Sequence, residues 1–353
     1  MSEARPSGGP LINQPSLTVG LLTPFSRRDQ SFLHMPLNLL TSTRLRCLLF
    51  AIVSVTAVCY PVSGQEPVDV IKVSTDLVVF DTQVIDKTTK RVIGDLTKDD
   101  FEIYERGVKQ QVSYFSRDEL PLSIMLLLDV SGSVRPILHQ IRNGALNALQ
   151  RLKTGDQVAV MAFASKSELS QDFTNDRALV SKTIDAATAN DRLGSGTFLG
   201  PALDEAARHM QTAPAASSRR VIIIITDNIA TSFGMEKRIE EKLLDSGTVV
   251  YGLIVRGAIG KVFNVVSLGQ IKAVDDYVKQ TGGEVFGASK NEVDAKLALV
   301  IDRLRARYAI GFRPTTETAT DEFRPVEIKL KPMPKRKEKP VVLTKRGYYL
   351  RRR

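Results

Sequence analysis

Asp129-Val-Ser131-Gly-Ser133, Gly194-Ser-Gly-Thr197 and Thr226-Asp227-Asn228 are the stretches of this 353-residue chain whose residue types and spacing converge on one chemistry. Asp129, Ser131, Ser133, Thr197 and Asp227 together offer two carboxylates and three hydroxyls, with no nitrogen or sulfur. Such a set suits a hard divalent cation, Mg2+ first, with Mn2+ or Ca2+ as alternatives; Mg2+ wants about six oxygens and keeps some of them as water. In Asp-x-Ser-x-Ser the alternate side chains of an extended turn face one point, and Gly132 permits the tight backbone that brings them together. Taken alone the pattern is weak, because Asp129 and the serines could equally cap the helix that follows. The full set, in order and at three strand or helix ends, favours a metal site.

Those ends belong to a particular grammar. Ile124–Leu128, Gln157–Phe163, Val221–Ile225 and Thr248–Ile254 are short, continuous apolar runs, the mark of strands buried on both faces of a parallel sheet. Between and after them lie amphipathic segments of helical length: Ile137–Leu152, Asp176–Ala189, Phe198–Met210, Glu236–Leu244, Ile271–Gln280 and Glu292–Arg305. Strand–helix alternation from Pro121 to Arg307 predicts a doubly wound, Rossmann-like α/β domain, whose ligands bind where loops converge at the carboxyl ends of the strands.

The flanks read differently. Val70–Ile85, Phe101–Tyr104 and Gln111–Phe115 are strand-like, with a turn at Arg106-Gly107. After Arg307 come Tyr308–Phe312, an alternation of Val326, Ile328 and Leu330 with Glu327 and Lys329, then Val341–Leu343 and Tyr348–Leu350. Neither flank has enough strands to close a sandwich alone. The expectation is therefore one all-β, sandwich-like module into which the α/β domain is inserted, with divisions at 1–64, 65–120, 121–307 and 308–353.

Net charge is +10, which first suggests a nucleic-acid binder. Its location changes that reading: Lys329–Arg353 holds eleven basic residues and one acid, while the remainder carries 38 of each sign. The body has no global field for phosphate, so no nucleic-acid partner is expected. The basic tail reads first as a strand with a solvated face, and contact with anionic lipid or lipopolysaccharide is the lesser reading. Residues 1–34 are a polar leader; after Arg44 and Arg46 the apolar run Cys47–Tyr60 is too short for a membrane span of about 20 residues. With Val62-Ser63-Gly64 behind it, this run reads as a secretory signal cleaved near Gly64, an uncleaved anchor being the alternative, and translation starting at Met35 would account for the leader. The mature chain would then lack cysteine, which excludes disulfides and thiolate metal sites, and the single histidines His34, His139 and His209 have no zinc-ligand spacing.

At the oxygen-ligand positions the chain resembles the metal-ion-dependent adhesion site of the von Willebrand factor type A domain, over Pro121 to about Arg307. Leu96–Phe101 and Tyr308–Tyr348 resemble the secreted type A-related proteins of acidobacteria. The resemblance implies that Ser131 and Ser133 coordinate the metal directly, Thr197 directly or through water, and Asp129 and Asp227 largely through water. It implies an extracytoplasmic, non-enzymatic adhesion or scaffold module whose cation takes an Asp or Glu of a partner protein as its final ligand. Asn228 departs from the glycine common after the second aspartate, although Asn tolerates left-handed backbone. One alternative is a type A subunit working with an ATPase or envelope complex; the signal-like segment argues against it. A metal-dependent hydrolase is the other. A phosphatase of the haloacid dehalogenase type needs a carboxylate where Ser131 stands, and neither a G-x-x-x-x-G-K-[ST] loop nor a Ser-His-Asp set is evident.

Overall fold

The computed structural model describes residues 77–213, 218–227, 236–256, 271–314 and 322–349. The leader, the apolar run, Asn228 and Arg351–Arg353 lie outside these residues. Among the described residues no helix is long and apolar enough to cross a membrane.

A six-stranded sheet forms the centre, built from β5 (Leu122–Asp129), β6 (Gln157–Phe163), β7 (Ser167–Thr174), β8 (Arg219–Thr226), β9 (Val249–Arg256) and β10 (Val285–Ser289). Its order is β10-β9-β8-β5-β6-β7, parallel except for β7 at one edge. Every residue of β5 is buried: Ile124, Leu126 and Leu128 face one core, Met125 and Leu127 the other. Helices α1 (Leu138–Leu149), α2 (Arg177–Thr188) and α6 (Val293–Arg305) cover the first face; α3 (Leu199–Met210), α4 (Glu236–Ser246) and α5 (Ile271–Thr281) cover the second. Burial on both faces is why the strands read as unbroken apolar runs. The order reverses at β5: the chain moves to β6 on one side and later returns to β8 on the other, which opens a crevice at the carboxyl ends of β5 and β8.

Two further sheets, each of four strands, draw on both flanks. One has the order β13 (Pro340–Leu343), β1 (Val78–Asp86), β11 (Tyr308–Phe312), β4 (Tyr114–Ser116); the other has β14 (Gly347–Tyr349), β12 (Phe323–Leu330), β2 (Phe101–Glu105), β3 (Val108–Gln110). Phe80 and Val84 of β1, Ile103 of β2, Ile310 and Phe312 of β11 and Ile328 of β12 share one core between the sheets. Strands on either side of the α/β segment thus pair directly, β1 with β11 and β13, and β2 with β12.

The hairpin around Arg106 and Gly107 differs from the sequence reading. Its second strand is Val108–Gln110, with both turn residues at positive φ (48° and 81°), and the apolar Tyr114–Ser116 pairs in the other sheet. Positive φ at both central residues is the geometry of a two-residue hairpin, which brings the return strand in immediately.

The β sheets are bound to the α/β part through Asp81. Its carboxylate meets Arg219 Nε at 2.9 Å and Arg307 Nε at 3.1 Å, both arginines being buried. Arg307 also donates to Tyr251 Oη, Asp81 O and Gly282 O, while Arg219 donates to Leu304 O. Arg219 opens β8, so this network lies at the end of the central sheet opposite the crevice.

Candidate metal centre

Asp129 is the last residue of β5 and has no solvent exposure. Its Oδ1 accepts the Ser131 N–H at 2.9 Å, which folds the chain into a tight turn; its Oδ2 accepts the Thr226 hydroxyl at 2.6 Å from the end of β8. The turn sets the Ser131 and Ser133 hydroxyls 3.2 Å apart. Two oxygens at adjacent corners of an octahedron with bonds of about 2.1 Å lie about 3 Å apart, so this pair matches two neighbouring Mg2+ ligands.

The capping alternative does not describe this loop. A short 3-10 turn, Arg135–Ile137, precedes α1, and neither carries a side-chain cap at its start. Asp129 and the serines are folded toward one another and toward β8 instead of along a helix axis.

The third stretch is fastened to both neighbours. Gly132 N–H donates to Ser195 O at 3.0 Å, and a Cβ on Gly132 would stand 3.4 Å from Ser195 Cβ. That is ordinary van der Waals contact, so the hydrogen bond ties the two backbones together, rather than the missing side chain expected from the sequence to matter. On the other side Gly196 N–H donates to Ser165 Oγ at 2.9 Å and Phe198 N–H to Ala164 O at 2.9 Å. Gly194 has φ 90°, and a Cβ there would meet Ser165 Oγ at 2.7 Å. Thr197, 4 % exposed, follows in this fastened loop and stands at the entry to α3. Asp227, half-buried, follows β8 directly, one residue beyond the Thr226 hydroxyl that reaches Asp129.

Electrostatics agree with a cation site. Burial pushes the Asp129 carboxyl up to about 6, against bonds from Ser131 and Thr226 that stabilise its anion, and the charge of Asp227 adds to the rise. Among the described residues no cationic side chain pairs with Asp129. A buried carboxylate with a second carboxylate beside it is relieved by protonation or by a metal ion. Among the described residues no group of three or more His, Cys, Asp and Glu side chains stands together, so the hydroxyls are indispensable to any ligand set here.

Asp129, Ser131 and Ser133 are thus brought together by direct contacts, Thr197 is joined to them through Ser195 and Gly132, and Asp227 through Thr226. Sequence reasoning missed two contributors. Thr226 adjoins Asp227 but carries no signal of its own; Ser165, which holds the Gly194–Gly196 loop, belongs to no motif and is found only by folding β6 beside that loop.

Residues 124–230 match the family model of the von Willebrand factor type A domain, and this part of the chain is a type A domain. Among solved structures the chain is similar to an aerotolerance-related membrane protein from Bacteroides fragilis, at 17 % identity over 52 % of this chain and 98 % of that one, with a TM-score of 0.42. It is similar to proximal thread matrix protein 1 from the mussel byssus with a zinc-occupied MIDAS motif, at 19 % identity over 52 % of this chain and 48 % of that one, TM-score 0.42. A von Willebrand factor type A protein from Catenulispora acidiphila gives 12 % identity over 64 % and 66 %, TM-score 0.42. No curated protein matches the chain.

Proposed function

We propose that the type A domain holds one divalent cation at the β5–β8 crevice and through it captures an acidic side chain of a partner protein. The observation that carries this reading is the folded-back Asp129 loop: a fully buried carboxylate with two hydroxyls 3.2 Å apart beside it, paired with no cationic side chain among the described residues. Ser131 and Ser133 would bind the ion directly. Asp129, whose oxygens already accept from Ser131 and Thr226, would act through the ion's waters together with Asp227, and Thr197 would complete the set. When bound, the cation would face these two carboxylates largely through water and would keep a coordination position for a partner's carboxylate. An incoming Asp or Glu gains a charge-assisted bond there. The site lies at the carboxyl ends of β5 and β8, with Asp129, Ser131 and Thr197 buried and Ser133 and Asp227 partly exposed.

Mg2+ is favoured over softer ions by an all-oxygen set that leaves room for water. The chain is read as an extracytoplasmic binding module rather than an enzyme. The basis is the signal-like Cys47–Gly64 segment together with a site whose side chains bind and neutralise but include no nucleophile–base pair. The test is a pull-down from envelope extract with the tagged chain in Mg2+ and in chelator, read by mass spectrometry, with Asp129→Ala alongside. A partner retained in Mg2+ and lost in both other arms supports capture through the ion; equal retention in all three contradicts it.

A further inference from the structure

Two basic segments far apart in sequence meet at one end of the β module. β1 ends at Asp86, paired with Pro340 at the start of β13; Lys87 N–H donates to Lys339 O at 2.8 Å, and Lys339 N–H donates to Asp86 Oδ2 at 3.3 Å. The turn after β1 carries Lys87 and Arg91, and the connection between β12 and β13 carries Lys335, Lys337 and Lys339. All five side chains are exposed, and none has an ion-pair or hydrogen-bond partner among the described residues.

The acids nearby are largely engaged. Asp86 accepts from the Thr88 and Thr89 N–H groups, Asp95 pairs with Arg336 at 2.6 Å, and Asp100 accepts from Thr97. Glu338 is the one acid within the connection itself, and its charge acts on Arg336. The connection also borders a cleft of about 550 Å³ with Ile328, Leu330, Met333 and Val342 in its wall.

The residue types indicate what this surface meets. Four of the five cations are lysines, compact point charges on flexible stems rather than forks built for bidentate recognition. Neither 86–91 nor 331–340 contains an aromatic residue, so there is no stacking platform of the kind that single-stranded nucleic acid uses. Diffuse point charges suit a field of headgroup phosphates.

We propose that this end of the β module, centred on Lys87, Arg91, Lys335, Lys337 and Lys339, docks on the phosphate headgroups of an anionic bilayer. The test is flotation of the full chain with phosphatidylcholine vesicles, with and without phosphatidylglycerol. The expected result is added affinity for the anionic vesicles that falls with salt. Each lysine contributes about fivefold, so Lys335→Gln, Lys337→Gln and Lys339→Gln combined should remove about 100-fold. These positions are exposed, and unchanged Mg2+ binding in the triple variant shows that the fold is intact. One contrary result is equal flotation with neutral and anionic vesicles. That result overturns the proposal, as does a triple variant that floats like wild type, or binding to duplex DNA without binding to anionic vesicles.

Discussion

The Thr226 hydroxyl donates to Asp129 Oδ2 at 2.6 Å across the crevice between β8 and β5. This bond joins the ends of the two strands at which the order of the central sheet reverses, and with the Ser131 N–H on Oδ1 it fixes the orientation of the carboxylate.

Removing that bond while keeping the shape is the sharpest probe of positioning. Thr226→Val is nearly isosteric at a buried position. Loss of a group that orients a metal-binding carboxylate typically costs about 10–100-fold in affinity. Calorimetry should show Mg2+ binding weakened in that range with thermal stability close to wild type; unchanged affinity would mean that Asp129 needs no support from β8.

The Asp129 carboxyl gives the site a pH dependence of definite sign. Its folded value, about 6, lies above its ordinary value of 3.8 because of burial. The metal-free fold therefore binds this proton more tightly than the unfolded chain does. Above pH 6 the ionised group costs the metal-free protein on the order of 3 kcal/mol, a cost that diminishes as pH falls through 6 toward 4. Mg2+ competes with the same proton, so Mg2+ affinity should rise from pH 5 to pH 7. Asp129→Asn should stabilise the metal-free chain at pH 7.5, abolish Mg2+ binding and flatten both dependences; a less stable Asn variant would show that burial does not strain this carboxylate.

At the opposite end of the sheet, Asp81→Ala leaves Arg219 and Arg307 buried without their shared counter-charge. Breaking a buried pair in this way costs about 3–5 kcal/mol. Urea unfolding should show a loss of that size, larger than for Arg106→Ala, which ends an exposed pair with Glu322. A loss below about 1 kcal/mol would mean that water reaches the Asp81 network.

Truncation after Arg307 removes the partners of β1 and β2, namely β11, β13 and β12. Limited proteolysis should then cut within 78–116, which the full chain protects. Protection of that segment in the truncated chain would contradict its dependence on the carboxyl-terminal strands.

Much of this was legible in the sequence because burial on two faces leaves a clear mark. β5, β6, β8 and β9 appear as unbroken apolar runs, and the six described helices lie within a few residues of their amphipathic segments. β7 and β10 left no such mark. β7, Ser167–Thr174, is a polar edge strand with no fully buried residue, and β10, Val285–Ser289, is a short edge strand interrupted by Gly287. Both are held by a neighbouring strand rather than by an apolar pattern of their own. At the site, the ligand-type residues were readable because hard-cation chemistry dictates oxygen donors. Ser165 and Thr226 were not, since a hydroxyl that orients a loop or a carboxylate looks like any other until the strands are paired.

The most direct test of the central claim is calorimetric titration of the metal-free chain with Mg2+. Wild type should bind one ion per chain at or below millimolar concentration, with binding lost in Asp129→Ala, strongly weakened in Ser131→Ala and Ser133→Ala, and reduced less in Thr197→Ala, all four remaining folded. If wild type binds no divalent ion at millimolar concentration, the crevice between β5 and β8 is not a metal site.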